Sequence, residues 1–145
     1  MNDALRLIEL QDIAFESDFH KYGRCPAYHE PPEQMKANIT ADNKAAYVIT
    51  VDGEDAGDII IRKRDDDSYY IRVLSILPQF QNMKIGRKAI EFLYHTYRDC
   101  NAWELITPQD NLRNCHFYES CGFVKIGEEA EKELTLNIFR KQITL

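Results

Sequence analysis

Apolar residues change their spacing several times along the chain, and each change marks an element. Leu5, Leu7 and Ile8 open the sequence and read as a short strand. Asp12 to Tyr22, with Ile13, Phe15 and Phe19 as its apolar positions, predicts a helix. Gly23 to Pro32 holds glycine and prolines without a clear period and predicts a loop. A second helix starts after Pro31-Pro32, over Glu33 to Asn38. Tyr47, Ile49 and Val51 alternate along a strand from Ala45 to Val51. Asp52-Gly53-Glu54-Asp55 is a hairpin turn signal, and Gly57 to Arg64 forms the returning strand.

Tyr69 to Leu77 is rich in β-branched and aromatic residues and predicts the best-defined strand, ended by Pro78. Ala89, Ile90, Leu93 and Tyr97 recur at helical spacing within Gly86 to Arg98. Trp103 to Thr107 follows as a strand, then a helix from Asn111 to Cys121 that stops at Gly122. Val124–Ile126 and Leu134–Ile138 supply two closing strands. The order β-α-α-β-β-β-α-β-α-β-β predicts a mixed α/β fold, with a central twisted mixed sheet of about six to seven strands and about four helices. No repeat or linker interrupts it, so a single domain over residues 1–145 is expected.

Composition narrows the function without naming it. A chain of 145 residues, 44% hydrophobic and 29% charged, has room for one core and a cleft. The 18 Lys+Arg against 24 Asp+Glu leave a formal charge of −6, which disfavours a nucleic-acid binder and is compatible with a cationic ligand such as an amine. The first ten residues carry acids and no long apolar run, so no signal peptide is expected, and no segment approaches a membrane span. Cys25, Cys100, Cys115 and Cys121 show neither a C-x-x-C pair nor a zinc spacing, and a reduced, cytoplasmic protein is the expectation. Asp65-Asp66-Asp67 reads as a solvated turn rather than a metal site, and no metal is expected.

The chemistry concentrates where the best strand meets the best helix. A tight turn before a helix leaves backbone N–H groups unpaired at the positive end of the helix dipole, which suits a pyrophosphate. Gly86 lets backbone come close there, and Lys84, Arg87 and Lys88 add positive charge to an acidic chain. Neither G-x-G-x-x-G nor G-x-x-x-x-G-K-[ST] is present.

Pro78-x-x-Gln81-x-x-x-x-Gly86 resembles the signature of the GNAT superfamily of acyl-CoA-dependent N-acetyltransferases, Gln/Arg-x-x-Gly-x-Gly/Ala after a strand, with Lys84 at the first glycine position. Asn111-Leu-Arg-Asn-Cys-His-Phe-Tyr118-Glu-Ser-Cys-Gly122-Phe123 resembles the same family's Asn-x-x-Ala-x-x-x-Tyr…Gly-Phe segment, with Asn114 in place of alanine. Two matches in the right order are far more specific than either alone.

The resemblance implies acetyl-CoA as co-substrate and direct attack by a primary amine, on a small molecule or peptide, upon the thioester. It implies that the backbone of Leu74, Ser75 and Ile76 holds the pantetheine arm. The segment Asn82, Met83, Lys84, Ile85, Gly86 and Arg87 would cradle the pyrophosphate, and Asn111 and Asn114 also fall on the cofactor side. The strands at Tyr69–Leu77 and Trp103–Thr107 would splay into a V where cofactor and acceptor meet. Tyr118 stands at the general-acid position and would protonate the departing thiolate, already a fair leaving group at a pKa of about 8.5.

Ile106 occupies the place where some members carry a carboxylate base; Glu104, two residues earlier on the same face, is the candidate here. A water chain or an already neutral amine is the alternative. His116 lies two positions from Tyr118 and should face elsewhere, Cys121 reads as a small buried residue, and His20, His29, Tyr22 and Tyr28 flank a loop that borders the acceptor in this family. Pairing through the closing strands, common in the family, makes a homodimer an open expectation. Lys84 and the missing base leave a second reading, a non-catalytic acyl-CoA-binding or sensing domain.

Overall fold

The N-terminal apolar residues lie on a helix, not a strand, in the computed structural model, which describes residues 3–23, 25, 27–81, 83–131 and 133–143. Helix α1 runs Asp3–Tyr22. Its buried residues Ala4, Leu7 and Gln11 are spaced by three and four, whereas Leu5 is 55% exposed. The two-residue alternation of Leu5 and Leu7 is too short to separate a period of 2 from one of 3.6. Helix α2, Pro32–Thr40, starts on a proline whose missing N–H costs nothing in the first turn.

Strands β1 (Lys44–Val51) and β2 (Glu54–Lys63) pair antiparallel about Asp52-Gly53. Both turn residues have positive φ, 51° and 82°, the backbone that matches hairpin twist. Then come β3 (Tyr69–Ile76), a 3₁₀ turn at Pro78–Phe80, α3 (Ile85–Thr96), β4 (Ala102–Pro108), α4 (Leu112–Ser120), β5 (Val124–Glu131) and β6 (Leu134–Gln142). The six strands form one mixed sheet in the order β1-β2-β3-β4-β6-β5. Among the described residues β3–β4 is its one parallel pair, bridged by the α3 crossover.

Apolar residues fill both faces. On one, Ile59, Ile71, Leu93, Trp103, Tyr118 and Phe139 join α3 and α4 to the sheet. On the other, Ile60 and Val73 meet Ala4 and Leu7 of α1 and Met35 of α2. Arg72 is the extra residue of a bulge in β3, since Ile60 is opposite Val73 while Ile61 is opposite Ile71. Among the described residues no helix is long and apolar enough to cross a membrane, and no group of His, Cys, Asp or Glu is placed to hold a metal ion.

Candidate active site

The parallel strands part soon after they meet. Pairing of β3 with β4 covers Tyr69↔Trp103 and Tyr70↔Glu104, after which neither strand pairs with the other. The facing edges toward Ile76 and Pro108 therefore offer backbone N–H and C=O groups without a ladder partner across the gap, which an extended ligand can satisfy. Two clefts of about 700 and 850 Å³ open there, one toward α3 and the other toward β5. Phe15, Asp18, Leu74, Asn114 and Tyr118 line both.

Leu74, Ser75 and Ile76 form the β3 wall of the first cleft. Gly57 of β2 stands opposite Ile76, and a Cβ on it would lie 1.9 Å from the Ser75 carbonyl oxygen. Beside it Asp58 is fully buried; its N–H donates to Ser75 Oγ at 3.1 Å, and the Ser75 hydroxyl donates to Asp58 Oδ1. Burial pushes the Asp58 carboxyl up to about 7 against the pull of that hydroxyl; nearby Glu30 raises it further and Arg72 lowers it.

The turn after β3 ends at Lys84, whose φ of 62° puts a side-chain-bearing residue in the left-handed region. The first backbone bond of α3 runs from Lys88 N–H to Lys84 C=O at 3.2 Å, so the N–H groups of Ile85, Gly86 and Arg87 precede the helical ladder and have no acceptor within it. Ile85, Gly86 and Arg87 line the first cleft, together with Lys84. The Arg87 guanidinium is tied to Ser120 Oγ at 2.9 Å. Gly86 has a second duty: a Cβ there would lie 2.9 Å from the Phe117 ring, so its bare Cα lets α3 sit close on α4.

Helix α4 is fixed at both ends by its own sequence. Asn111 caps it by accepting from Asn114 N–H at 3.1 Å, and Asn114 Nδ2 reaches Thr107 Oγ1 at 3.5 Å. At the far end Gly122 has φ 95°, its N–H donates to Glu119 C=O at 3.0 Å, and Phe123 N–H donates to Tyr118 C=O at 3.0 Å. This pair of bonds is a Schellman cap, completed by the contact of the Tyr118 and Phe123 rings at 5.7 Å. The Tyr-x-x-x-Gly-Phe spacing is thus the device that holds the Tyr118 ring in place. The residue is 8% exposed, and burial pushes its phenol upward with Cys121 adding to the effect. Such a phenol stays protonated and can donate.

Glu104 lies in the second cleft rather than the first. Its two carboxylate oxygens face Arg64 at 3.1 Å and Arg140 at 2.9 Å. Arg72 is similarly committed, to the buried Glu30, whose other oxygen accepts from Asn38 Nδ2 at 2.7 Å. Among the described residues lining this cleft, Asp18, Glu104, Glu128, Glu129 and Glu131 outnumber Arg62, Arg64 and Arg72. The first cleft has the opposite balance, with Lys84, Arg87 and Arg113 against Asp18 alone.

Of the residues marked by motif, Leu74 to Ile76, Lys84 to Arg87, Asn111, Asn114 and Tyr118 come together around the first cleft. Met83 does not line it and is 52% exposed, and Asn82 lies outside the described residues. His116, expected on another face, also lines the first cleft, because the cleft takes in Arg113, Asn114, His116, Phe117 and Tyr118 of α4 instead of facing one stripe of it. Phe15 and Asp18 were marked by no motif; their position on the helix face that carries Tyr22 four residues later is the signal that could have found them.

This fold is that of a known family. The model of the acetyltransferase (GNAT) family matches residues 7–123, and the chain belongs to that family. It is 25% identical over 118 residues to the Bacillus subtilis (strain 168) protein YrkN, a match that covers 79% of this chain and 64% of that protein. An acetyltransferase from Thermus thermophilus is similar in structure with a TM-score of 0.78 at 16% identity, over 97% of this chain and 91% of the other. PaiA N-acetyltransferase from Thermoplasma acidophilum, solved in complex with coenzyme A, also gives 0.78, at 14% identity over 97% and 93%. At these identities the likeness establishes the fold.

Proposed function

We propose that the protein is an N-acetyltransferase that moves the acetyl group of acetyl-CoA to a primary amine by direct attack. The carrying observation is the parting of β3 and β4 beside an α3 N-terminus with unpaired N–H groups, a slot for an extended arm that ends at an anion cradle. A structural neighbour, PaiA from Thermoplasma acidophilum, was solved with coenzyme A, which supports the same class of ligand here. Leu74, Ser75 and Ile76 hold the pantetheine arm through backbone, and the N–H groups of Ile85, Gly86 and Arg87 hold the pyrophosphate with Lys84 adding charge. Asn111 and Asn114 shape the cofactor side, Asn111 by capping α4 and Asn114 from the junction of the clefts.

The amine nitrogen attacks the acetyl carbonyl carbon, the C–N bond forms, and the C–S bond breaks. Tyr118 gives its phenolic proton to the departing sulfur, and the proton that nitrogen loses as the amide forms returns through solvent to the phenolate. Glu104, with both carboxylate oxygens engaged by Arg64 and Arg140, serves as a fixed charge in the acceptor cleft.

The test is thiol release from acetyl-CoA with a panel of primary amines. Tyr118→Phe is expected to lower turnover about tenfold, a modest factor because the thiolate leaves well, with acetyl-CoA affinity held within about twofold. Unchanged turnover removes Tyr118 from the mechanism.

Lys84 yields a second expectation. A side chain in the left-handed region costs roughly 1 kcal/mol, so Lys84→Gly should raise stability by about 0.5–1 kcal/mol in urea unfolding. With the ammonium gone, acetyl-CoA affinity should drop about threefold at low salt, and less at high salt. Tighter binding would mean that the side chain obstructs the phosphates.

A further inference from the structure

Asp18 stands where the two clefts meet. Of the five residues that line both, Phe15 and Asp18 sit one turn apart on α1, Leu74 is on the open edge of β3, and Asn114 and Tyr118 are on α4. Asp18 is the one carboxylate of the five, and among the described residues it is the one acidic side chain in the cofactor cleft. The arginines of the acceptor cleft have partners of their own, with one buried nitrogen of Arg72, Nη1, left without a hydrogen bond among the described residues. Arg72 is paired with Glu30, Arg64 with Glu104, and the Arg62 guanidinium lies 5.4 Å from the Tyr70 ring.

We propose that Asp18 binds the ammonium group of the acceptor and takes its proton as the nitrogen attacks the thioester. The inference rests on the acetyl-transfer reading above and adds the residue that recognises the amine. The step balances: one ammonium proton passes to the Asp18 carboxylate, the nitrogen lone pair forms the C–N bond, the C–S pair leaves on sulfur and takes the Tyr118 proton, and the second proton that nitrogen loses as the amide forms returns through solvent to the Tyr118 phenolate. Asp18 on α1 and Tyr118 on α4 thus reach the junction of the clefts from different elements, one to accept a proton and the other to donate one.

The surroundings of Asp18 suit this role. It is partly buried, and desolvation raises its carboxyl above the ordinary value while Lys21, one turn on, lowers it. The charged and titratable groups that face the clefts from the other elements are Lys84 and Arg87 at α3, Arg113, His116 and Tyr118 on α4, Arg62 and Arg64 at the end of β2, and Arg72 on β3. Tyr22 on α1, Cys25 in the loop after it, Tyr70 on β3, Glu104 on β4 and the glutamates of β5 complete the set. The surplus of carboxylates among the described residues of the acceptor cleft favours a cation arriving from that side.

Two readouts test the inference. In the CoA-loaded protein, phenethylamine should bind about tenfold more tightly than 2-phenylethanol, and Asp18→Asn should abolish that preference while CoA affinity changes by less than about twofold. In transfer assays with the same amine, the wild-type kcat/KM should stay flat between about pH 6 and pH 9, because the ammonium form is the species bound. Asp18→Asn should be about 100-fold slower at pH 7 and gain about tenfold per pH unit as free amine accumulates, with Asp18→Glu restoring part of the flat profile. An amine preference and pH profile unchanged in Asp18→Asn overturn the inference and leave acetyl transfer standing. An Asp18-dependent preference in a wild-type protein that transfers to no amine overturns acetyl transfer and leaves the amine site standing.

Discussion

Gly57→Ala is expected to destabilise the protein by at least about 3 kcal/mol, enough to lower Tm by about 10 °C. The new methyl would lie 1.9 Å from the carbonyl oxygen of Ser75 and 2.8 Å from its carbonyl carbon. Those are backbone atoms of a paired strand, so no side-chain rotation relieves the overlap, and β2 and β3 must separate where Gly57 faces Ile76. Because Ser75 forms part of the first cleft's wall, the displacement should also weaken acetyl-CoA binding in the fraction that folds. Gly127→Ala is the control. A Cβ there meets only Ile138 Cδ1 at 3.8 Å, an ordinary contact, and stability should change by less than about 0.5 kcal/mol. Thermal unfolding followed by circular dichroism distinguishes the two; a Gly57→Ala protein as stable as wild type would mean that the strands do not approach as described.

Arg72→Met should cost about 3–5 kcal/mol in urea unfolding, since it strands a charge that folding has removed from water. The Glu30 side chain has no exposed surface, and its partners are the Arg72 guanidinium and Asn38 Nδ2. The pair ties the loop between α1 and α2 to the bulge of β3, and so helps set the wall of the second cleft. Glu30→Gln combined with Arg72→Met removes the stranded charge and should recover most of the loss. A double variant as unstable as the single one would show that packing of the arginine stem, not the charge, is what matters.

The sequence was most legible where local rules act alone. The strand from Tyr69, the helix after the turn at Lys84 and the Gly122 stop are each set by period, proline or a left-handed cap, and all three stand where expected. Tyr118 could be placed for the same reason, since its helix carries its own N-cap and C-cap in sequence. The strand expected at Leu5 to Ile8 failed because burial of Leu7 is decided by distant Ile60 and Val73, which no local window contains.

Other residues had duties that only the packed molecule reveals. Gly86 could be read as room for phosphate, yet the Phe117 ring that also requires a glycine comes from another helix. The carboxamide of Asn111 is occupied in capping, and both oxygens of Glu104 are occupied by arginines from other strands or their ends. Asp18 was the least legible. Its place comes from α1 lining both clefts, a tertiary fact that leaves no spacing signature in the chain.

The central claim is that the gap between β3 and β4, with the α3 N-terminus at its end, holds acetyl-CoA. Calorimetric titration of the purified protein with acetyl-CoA tests it most directly. The structure predicts saturable binding of one molecule per chain, weakened in Gly57→Ala protein that remains folded and little changed in Tyr118→Phe. Absence of saturable binding by folded wild-type protein would contradict it.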